Sequence, residues 1–500
     1  MAEEQVAAGG PVAGVSREQR WVLALASLAS FIVILDVMVV ATALTAIRRH
    51  LGASLADLEW TVNAYTLSFA VLLMTAATLG DRLGRRRVFA TGLVMFAVSS
   101  AACALAPDAA ALIAARAVQG AGAAAIMPMA LALLNGAFPP ARRGWAIGIY
   151  GGVTALAAVA GPVLGGAVTQ GLGWQWIFWL NVPVALAAVP LVLTRISEAT
   201  GPGGAVDLPG LSLVTAAALG LVWGLVRGNT AGWDSPEVIG ALTGGAAAAA
   251  AFAGWERRAA RPMLPARLFR SPAFSAGATA IFLINASLTG VIFLMPQFQQ
   301  VVAGQEPLGS GLRLLPWGIA PFLVGPRAGA LADRAGERVL VVTGSLLQAG
   351  GVAWIAAAAG PGTGYLVLVA PMIIVGAGFA LAIPAVTRSV TSTVPPADIG
   401  TASGAFTAMR QLGGAFGVAV LGTVFAATGG YASPAAFSHG FTAAFAVAAG
   451  LALAGTAAGT ILPGRPNRPS PTAPPGPGRA LSVSGTAAGR HPSAPDVNPR

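Results

Sequence analysis

The chain has 500 residues, of which 56% are hydrophobic and only 9% are charged, and its mean hydropathy is +0.74. A soluble core cannot hide this many apolar side chains, so the composition excludes a soluble enzyme and predicts an all-α, polytopic membrane protein. The net charge is +11 and all 29 basic residues are Arg. Because these arginines lie in short segments beside apolar runs, they indicate membrane topology and not nucleic-acid binding.

Apolar runs of about 18 residues or more predict fourteen membrane-spanning helices. In chain order they cover residues 21–46, 57–79, 88–106, 109–136, 144–169, 174–193, 208–226, 236–254, 273–302, 310–332, 338–358, 364–390, 399–426 and 437–461. Residues 208–254 could instead form one re-entrant pair, because residues 228–234 are only a short break. Pro371 and Pro384 predict a kink in the span at 364–390.

The arginines also predict the orientation of the chain. Residues 1–20 lack the apolar segment of a cleavable signal peptide. Four of the 29 arginines lie in loops predicted outside and three lie within spans, which leaves 22 on the side of the N-terminus. This bias predicts that both termini are cytoplasmic and that the protein lies in the cell membrane.

The densest charge lies at residues 78–88, TLGDRLGRRRV, between two apolar runs. A shorter copy, GALADRAG, occupies residues 329–336. Each copy ends one predicted span and begins the next on the same side of the membrane. This placement indicates a parallel repeat, in which two bundles related by a pseudo-two-fold axis face each other across a central cavity.

The repeat divides the chain into five parts. They are a cytoplasmic N-terminal segment (1–20), an N-terminal six-helix bundle (21–193), two additional linker spans (194–262), a C-terminal six-helix bundle (263–462) and a disordered, Pro-rich cytoplasmic tail (463–500).

These residues resemble the major facilitator superfamily, whose signature loop runs Gly-x-Leu-Ala-Asp-Arg-x-Gly-Arg-Arg/Lys. The first copy departs from it at Ala77, where the opening Gly is usual, and at Gly80, where Ala is common. Other segments are similar to the fourteen-span drug:proton antiporter subfamily. They are LDVMVVATAL (35–44), WTVNAY (60–65), RAVQGAG (116–122), GPVLGG (161–166), WQWIF (174–178), NVP (181–183) and RQLGG (410–414). Gln175 replaces the Arg that is usual in the subfamily.

The resemblance implies a proton-coupled exporter of drugs, antibiotics or toxic secondary metabolites. Such a protein is not an enzyme, and the proton gradient drives it without ATP or another cofactor. The sequence contains no phosphate-binding loop, and its three isolated histidines do not predict a metal site. We expect a monomer that carries a bulky amphiphilic or cationic organic molecule through a mostly apolar cavity. A proton symporter or facilitator for nutrient uptake, and a membrane scaffold without transport, are the alternatives.

Asp36 is the only acidic residue predicted deep inside a span, where a charge needs a partner, water or a proton. At 1.5 Å per residue, Asp36 and Arg116 both lie roughly 10–15 Å below the outer surface. We hypothesise that Asp36 carries the proton and that Arg116 tunes its proton affinity, with a fixed ion pair as the alternative. Gln119 and Arg410 are further candidates in the cavity, and Arg410 could instead have a structural hydrogen-bonding role.

Two motifs predict how the cavity opens and closes. In the charged turn, glycines should allow a tight turn, and Asp81 and Arg82 should lock the inner gate through salt bridges at helix ends. The gating residues are Gly80, Asp81, Arg82, Gly84 and Arg85, with Asp333 and Arg334 in the copy. The alternative is that these charges only set topology. The antiporter motif, Gly161, Pro162, Gly165 and Gly166, should form a hinge against the opposing bundle, or else only a close helix contact.

Overall fold

The computed structural model describes residues 15–201, 203–260, 262–395 and 398–464. Most of the predicted N-terminal segment and nearly all of the predicted tail lie outside these ranges. Within them the chain forms α-helices and one short 3-10 turn, and no strand. The helices are α1 (Arg17–Leu51), α2 (Leu55–Leu83), α3 (Arg85–Ala104), α4 (Ala109–Ala137), α5 (Pro140–Gly171), α6 (Trp176–Trp179), α7 (Asn181–Arg195), α8 (Leu208–Ala231), α9 (Pro236–Glu256), α10 (Pro272–Val301), α11 (Pro307–Arg313), α12 (Leu315–Ala335), α13 (Glu337–Ala358), α14 (Tyr365–Ser392), α15 (Ile399–Thr428) and α16 (Pro434–Gly459).

Thirteen helices of the described ranges are long and apolar enough to cross a membrane, with the short α6 counted as the start of α7. The protein is therefore a multi-pass membrane protein. The tenth predicted span, 310–332, is the exception, because the chain there divides into α11 and α12. Helix α12 contains three prolines and Arg327, and it is not among the helices that are apolar enough to count as spans. Hence the count of fourteen spans remains a prediction.

The long helices pack in two groups that repeat the same contacts. In the first half α1 packs against α5, and both α2 and α3 pack against α4. In the second half α10 packs against α15 in the same way, and both α12 and α13 pack against α14. The halves meet chiefly where α2 contacts α15 and where α5 contacts α11. This repetition gives the two-bundle architecture that the charged turns predict.

Residues 208–254 form two separate helices and not a re-entrant pair. Helix α8 has 24 residues and α9 has 21, and at 1.5 Å per residue each is about 30 Å or longer, the thickness of the bilayer core. Helix α8 packs against α2 and α15, where the two halves meet, whereas α9 packs mainly against α8.

In each charged turn a single glycine separates two helices. Gly84 joins α2 to α3 with φ 104°, and Gly336 joins α12 to α13 with φ 89°. Side chains with a Cβ rarely adopt this left-handed backbone, so a glycine is required at both junctions. The prediction that Gly80 also makes the turn is wrong, because Gly80 lies inside α2. A Cβ there would meet the end of the Met129 side chain of α4, so Gly80 lies where α2 and α4 pack closely.

Candidate functional site

A buried polar cluster surrounds Asp36 inside the first half, and we call it the Asp36 cluster. Asp36 is 0% exposed and Arg116 1% exposed. Arg116 Nη1 donates to Asp36 Oδ2 over 2.5 Å, and the amide nitrogens of Gln119 and Asn181 each donate to Asp36 Oδ1 over 2.9 Å. Both carboxylate oxygens are thus paired, in the way that a buried charge requires. The predicted pairing of Asp36 with Arg116 is present.

The fourth member, Asn181, was missed as a site residue. It is the first residue of α7, next to the short helix α6, and is 2% exposed. From the sequence, Asn181 was named only within the NVP motif of the predicted span 174–193 and was given no role. Only the break between α6 and α7 shows that this amide turns inward toward α1.

Other groups hold the Arg116 guanidinium in place. Its Nη1 donates to Gln119 Oε1 over 2.6 Å, and its Nε donates to the carbonyl oxygen of Thr61 over 3.2 Å. The ring of Tyr65 lies 4.2 Å from its central carbon, a cation–π geometry. These contacts bind α4 to α2, so with Asp36 on α1 and Asn181 on α7 the cluster joins four helices of the first half.

A cavity of about 320 Å³ lies between the halves, and we call it the central cavity. Most of its lining is apolar, from α1, α2 and α5 on one side and α10, α12, α14 and α15 on the other. Arg410 is the charged side chain in this lining, whereas Asp36, Arg116 and Gln119 do not line it. Our prediction that all four share one cavity is therefore wrong. Tyr65 lines the cavity and also covers Arg116, so it separates the two sites.

Small residues on α15 fix the position of Arg410. A Cβ added at Gly413 or Gly417 would collide with the backbone of α10, so both glycines allow these helices to touch. Asn285 of α10 donates to the carbonyl oxygen of Arg410 over 2.7 Å. Arg410 and Gly414 are four residues apart and share the face that lines the cavity.

The antiporter motif on α5 contacts both halves. A Cβ at Gly161 would collide with Met38, and one at Gly165 with Val39 and Thr42, all on α1. On the other side, a Cβ at Gly166 would collide with the backbone of α11 at Pro307. The motif therefore makes a close helix contact with α1 and, through Gly166, with the opposing half.

The same region of α11 completes a contact that we call the outer contact, because it lies on the side opposite the predicted cytoplasmic one. A Cβ at Gly311 would collide with the carbonyl group of Pro162. Gln300 Nε2 of α10 donates to the carbonyl oxygen of Thr42 over 2.9 Å. On the inner side, by contrast, a Cβ built at Gly144, Gly148, Gly151 or Gly152 of α5 would meet nothing within 4 Å. The two halves therefore touch through α5 and α11 on the outer side of the cavity.

The charged turn carries ion pairs on the inner side. Arg85 binds Asp81 over 2.8 Å, four residues earlier, and the backbone N–H of Arg85 donates to Ala199 after α7. In the copy, Asp333 pairs with Arg388 of α14 over 2.8 Å. Arg82 is exposed and Arg334 lies in the last turn of α12. Both ion pairs stay within their own half, so the predicted inner lock remains a prediction.

Comparison with known proteins identifies the family. The profile of the Major Facilitator Superfamily matches residues 26–418. The chain belongs to this superfamily. It is 37% identical to the tetracenomycin C resistance and export protein of Streptomyces glaucescens over 433 residues, 85% of this chain and 79% of that one. It is also 37% identical to a cephamycin export protein of Amycolatopsis lactamdurans over 430 residues, 85% and 88% of the two chains.

Solved structures of the superfamily have the same fold. The nucleoside transporter NupG superposes with a TM-score of 0.62 at 15% identity and covers 88% of this chain and 98% of its own. At such low identity the likeness concerns the fold alone.

This member of the superfamily has a second buried carboxyl group that the sequence analysis missed. Glu59, near the outer end of α2, is 3% exposed, and its Oε2 has no hydrogen-bond partner among the described residues. A Cβ added at Gly422 of α15 would collide with Glu59 Oε1, so the carboxyl group lies where the halves meet. Glu59 lies at the end of its span, so the prediction that Asp36 is the only acidic residue deep inside a span stands, but Asp36 is not the only buried carboxyl group of the described residues.

Proposed function

We propose that this protein is a proton-coupled exporter of antibiotics or related amphiphilic compounds in the cell membrane, with both termini in the cytoplasm. Export is supported by the likeness, over most of the chain, to proteins named for export of tetracenomycin C and of cephamycin. The observation that carries proton coupling is the Asp36 cluster, in which a fully buried carboxylate has Arg116 as its one counter-charge among the described residues. The proposal needs no ATP, metal or organic cofactor.

Protonation of Asp36 would change the energy of this conformation. In the ionised state, Asp36 neutralises Arg116 and accepts three hydrogen bonds. A neutral Asp36 would leave the buried Arg116 charge without a counter-ion, a change that costs about 3–5 kcal/mol in buried pairs. We infer that the protonated protein relaxes to another conformation, which releases its substrate outward and accepts the next proton.

In this proposal, helix α5 connects Asp36 on α1 with the outer contact. Met38, Val39 and Thr42 follow Asp36 on α1 and are the residues against which Gly161 and Gly165 of α5 pack. Gly166, on the same helix, packs against α11 of the other half. A tilt of α1 after protonation would therefore move α5 and separate it from α11.

The test uses Asp36→Asn, with Asp36→Glu as the variant that keeps a carboxyl group. A host without its own pumps is screened with antibiotics that include tetracenomycin C and a cephamycin. Wild type should raise the inhibitory concentration of at least one, and inverted vesicles should accumulate that compound when a proton gradient is imposed. We expect Asp36→Asn to abolish gradient-driven accumulation.

A second measurement separates coupling from folding. Asparagine keeps one acceptor oxygen, which can receive the hydrogen bonds from Gln119 and Asn181 although the one from Arg116 is lost. We therefore expect Asp36→Asn to be destabilised but to remain in the membrane, and to exchange labelled for unlabelled compound without a gradient. Gradient-driven accumulation by Asp36→Asn at the wild-type rate would disprove proton coupling through Asp36. Uptake into intact cells, in place of export, would favour the symporter alternative.

A further inference from the structure

The charges around the central cavity are unbalanced. Arg410 is the charged residue in its lining, and no described carboxylate lies within ion-pair distance of that guanidinium. Asp36 and Glu59 do not line the cavity. The polar lining residues are uncharged amides, hydroxyls and an indole. They are Thr42, Tyr65, Thr66, Asn285, Thr289, Trp317 and Gln411.

The guanidinium of Arg410 has unused hydrogen-bonding capacity. Among the described residues it donates no hydrogen bond, although an Arg side chain carries five N–H donors. The backbone of Arg410, by contrast, is held in place. Its carbonyl oxygen accepts a hydrogen bond from Asn285. In addition, Gly413 and Gly417 allow α15 to pack closely against α10. An unpaired cation within a membrane-spanning helix is costly unless water or a ligand satisfies it.

We propose that Arg410 binds an anionic group of the transported molecule, so that the preferred substrates are amphiphilic organic acids. A flat carboxylate, sulfonate or phenolate can accept two parallel hydrogen bonds from a guanidinium. The apolar walls from α1, α5 and α12 would then enclose the rest of the molecule. This inference rests on the proposed export function and narrows its substrate class.

The same charge disfavours the cationic substrates that the sequence suggested. A cation in the cavity would meet Arg410 and no free carboxylate of the lining. Asp36 cannot replace one, because Arg116, Gln119 and Asn181 already occupy both of its oxygens. Like charges placed close together in a poorly solvated site repel each other strongly.

The experiment measures binding to purified protein in lipid nanodiscs without a proton gradient. The probes are amphiphilic aromatic carboxylic acids and their methyl esters, with fluorescein and rhodamine 6G as an anionic and a cationic dye of one skeleton. Wild type should bind the acids at least about tenfold more tightly than their esters, as expected for hydrogen bonds to a charged group. Arg410→Gln should abolish this preference, and Arg410→Lys should keep part of it.

Gln411→Ala is the matched control, because Gln411 also lines the cavity but has no charge. It should preserve the preference for acids over esters. The inference is overturned if no acid binds wild type more tightly than its ester, if Arg410→Gln keeps the preference, or if rhodamine 6G binds as well as fluorescein. Binding does not depend on Asp36 or on the gradient, so these outcomes are separate from failure of proton-coupled export.

Discussion

At the scale of single residues, two buried carboxyl groups have opposite surroundings. Asp36 has three donors and a counter-ion, whereas Glu59 Oε2 has no partner among the described residues. An unpaired buried carboxylate is much more costly than a neutral carboxylic acid, so we expect Glu59 to be neutral in this conformation. The two groups should therefore respond differently when each is replaced by an amide.

We expect Glu59→Gln to change the free energy of unfolding by about 1 kcal/mol or less, since it replaces one neutral group with another of the same shape. Asp36→Asn removes the counter-ion of Arg116 and should cost about 3–5 kcal/mol. Thermal unfolding of both variants in the same detergent would compare them. Equal destabilisation would mean that Glu59 is ionised and paired in the folded protein.

The sequence predicted part of this chemistry. Asp36 and Arg116 could be paired because helical rise alone sets their depth in the membrane. Asn181, Glu59 and the separation of Arg410 from the Asp36 cluster could not be predicted. Each depends on the face that a helix turns toward its neighbours, and an almost uniformly apolar helix carries no polar face to reveal its rotation.

At the scale of elements, α5 connects the Asp36 helix to the opposite half. The sequence predicted that the glycine-rich motif of α5 makes a helix contact. It did not predict which glycine faces which helix. Gly161 and Gly165 face α1 of the same half, whereas Gly166 faces α11. A hinge at this motif would therefore depend on both contacts, the one with α1 and the one with α11 of the other half.

Gly165→Val should insert a side chain between α5 and α1 and destabilise this conformation by about 1–3 kcal/mol. A coupling of that size changes the balance between conformations by roughly 5–150-fold. We expect the transport rate per molecule in the membrane to fall while expression changes little. The control is Gly171→Val on the same helix, where an added Cβ meets nothing within 4 Å. Equal loss of transport and expression in Gly165→Val would indicate packing alone.

At the scale of the whole molecule, the repeated bundles were predictable and the conformation was not. Two charged turns on one side fix the symmetry, because Gly84 and Gly336 make the same backbone turn. Which side of the cavity is closed depends on contacts between distant segments, such as Gly166 with Pro307 and Gln300 with Thr42. In a transporter these contacts must break in each cycle, so the same sequence has to stabilise the conformation with the contacts formed and the one with them broken.

A cross-link across the outer contact should therefore stop the cycle. Gln170 of α5 accepts from the backbone N–H of Leu308 of α11 over 3.2 Å, which places these positions next to each other in opposite halves. We expect Gln170→Cys/Leu308→Cys to lose transport when joined by a short methanethiosulfonate cross-linker, and to recover it after reduction. The native Cys103 is fully buried and should not react.

The matched control joins two helices that need not separate. Arg227 of α8 and Glu237 of α9 form an exposed ion pair at 3.0 Å on the same outer side. Cross-linked Arg227→Cys/Glu237→Cys should transport at the rate of its unlinked form, because α9 packs mainly against α8 and can move with it. If the Gln170–Leu308 cross-link leaves transport intact, the contact between α5 and α11 does not open during the cycle, and the outer gate must lie elsewhere between the halves.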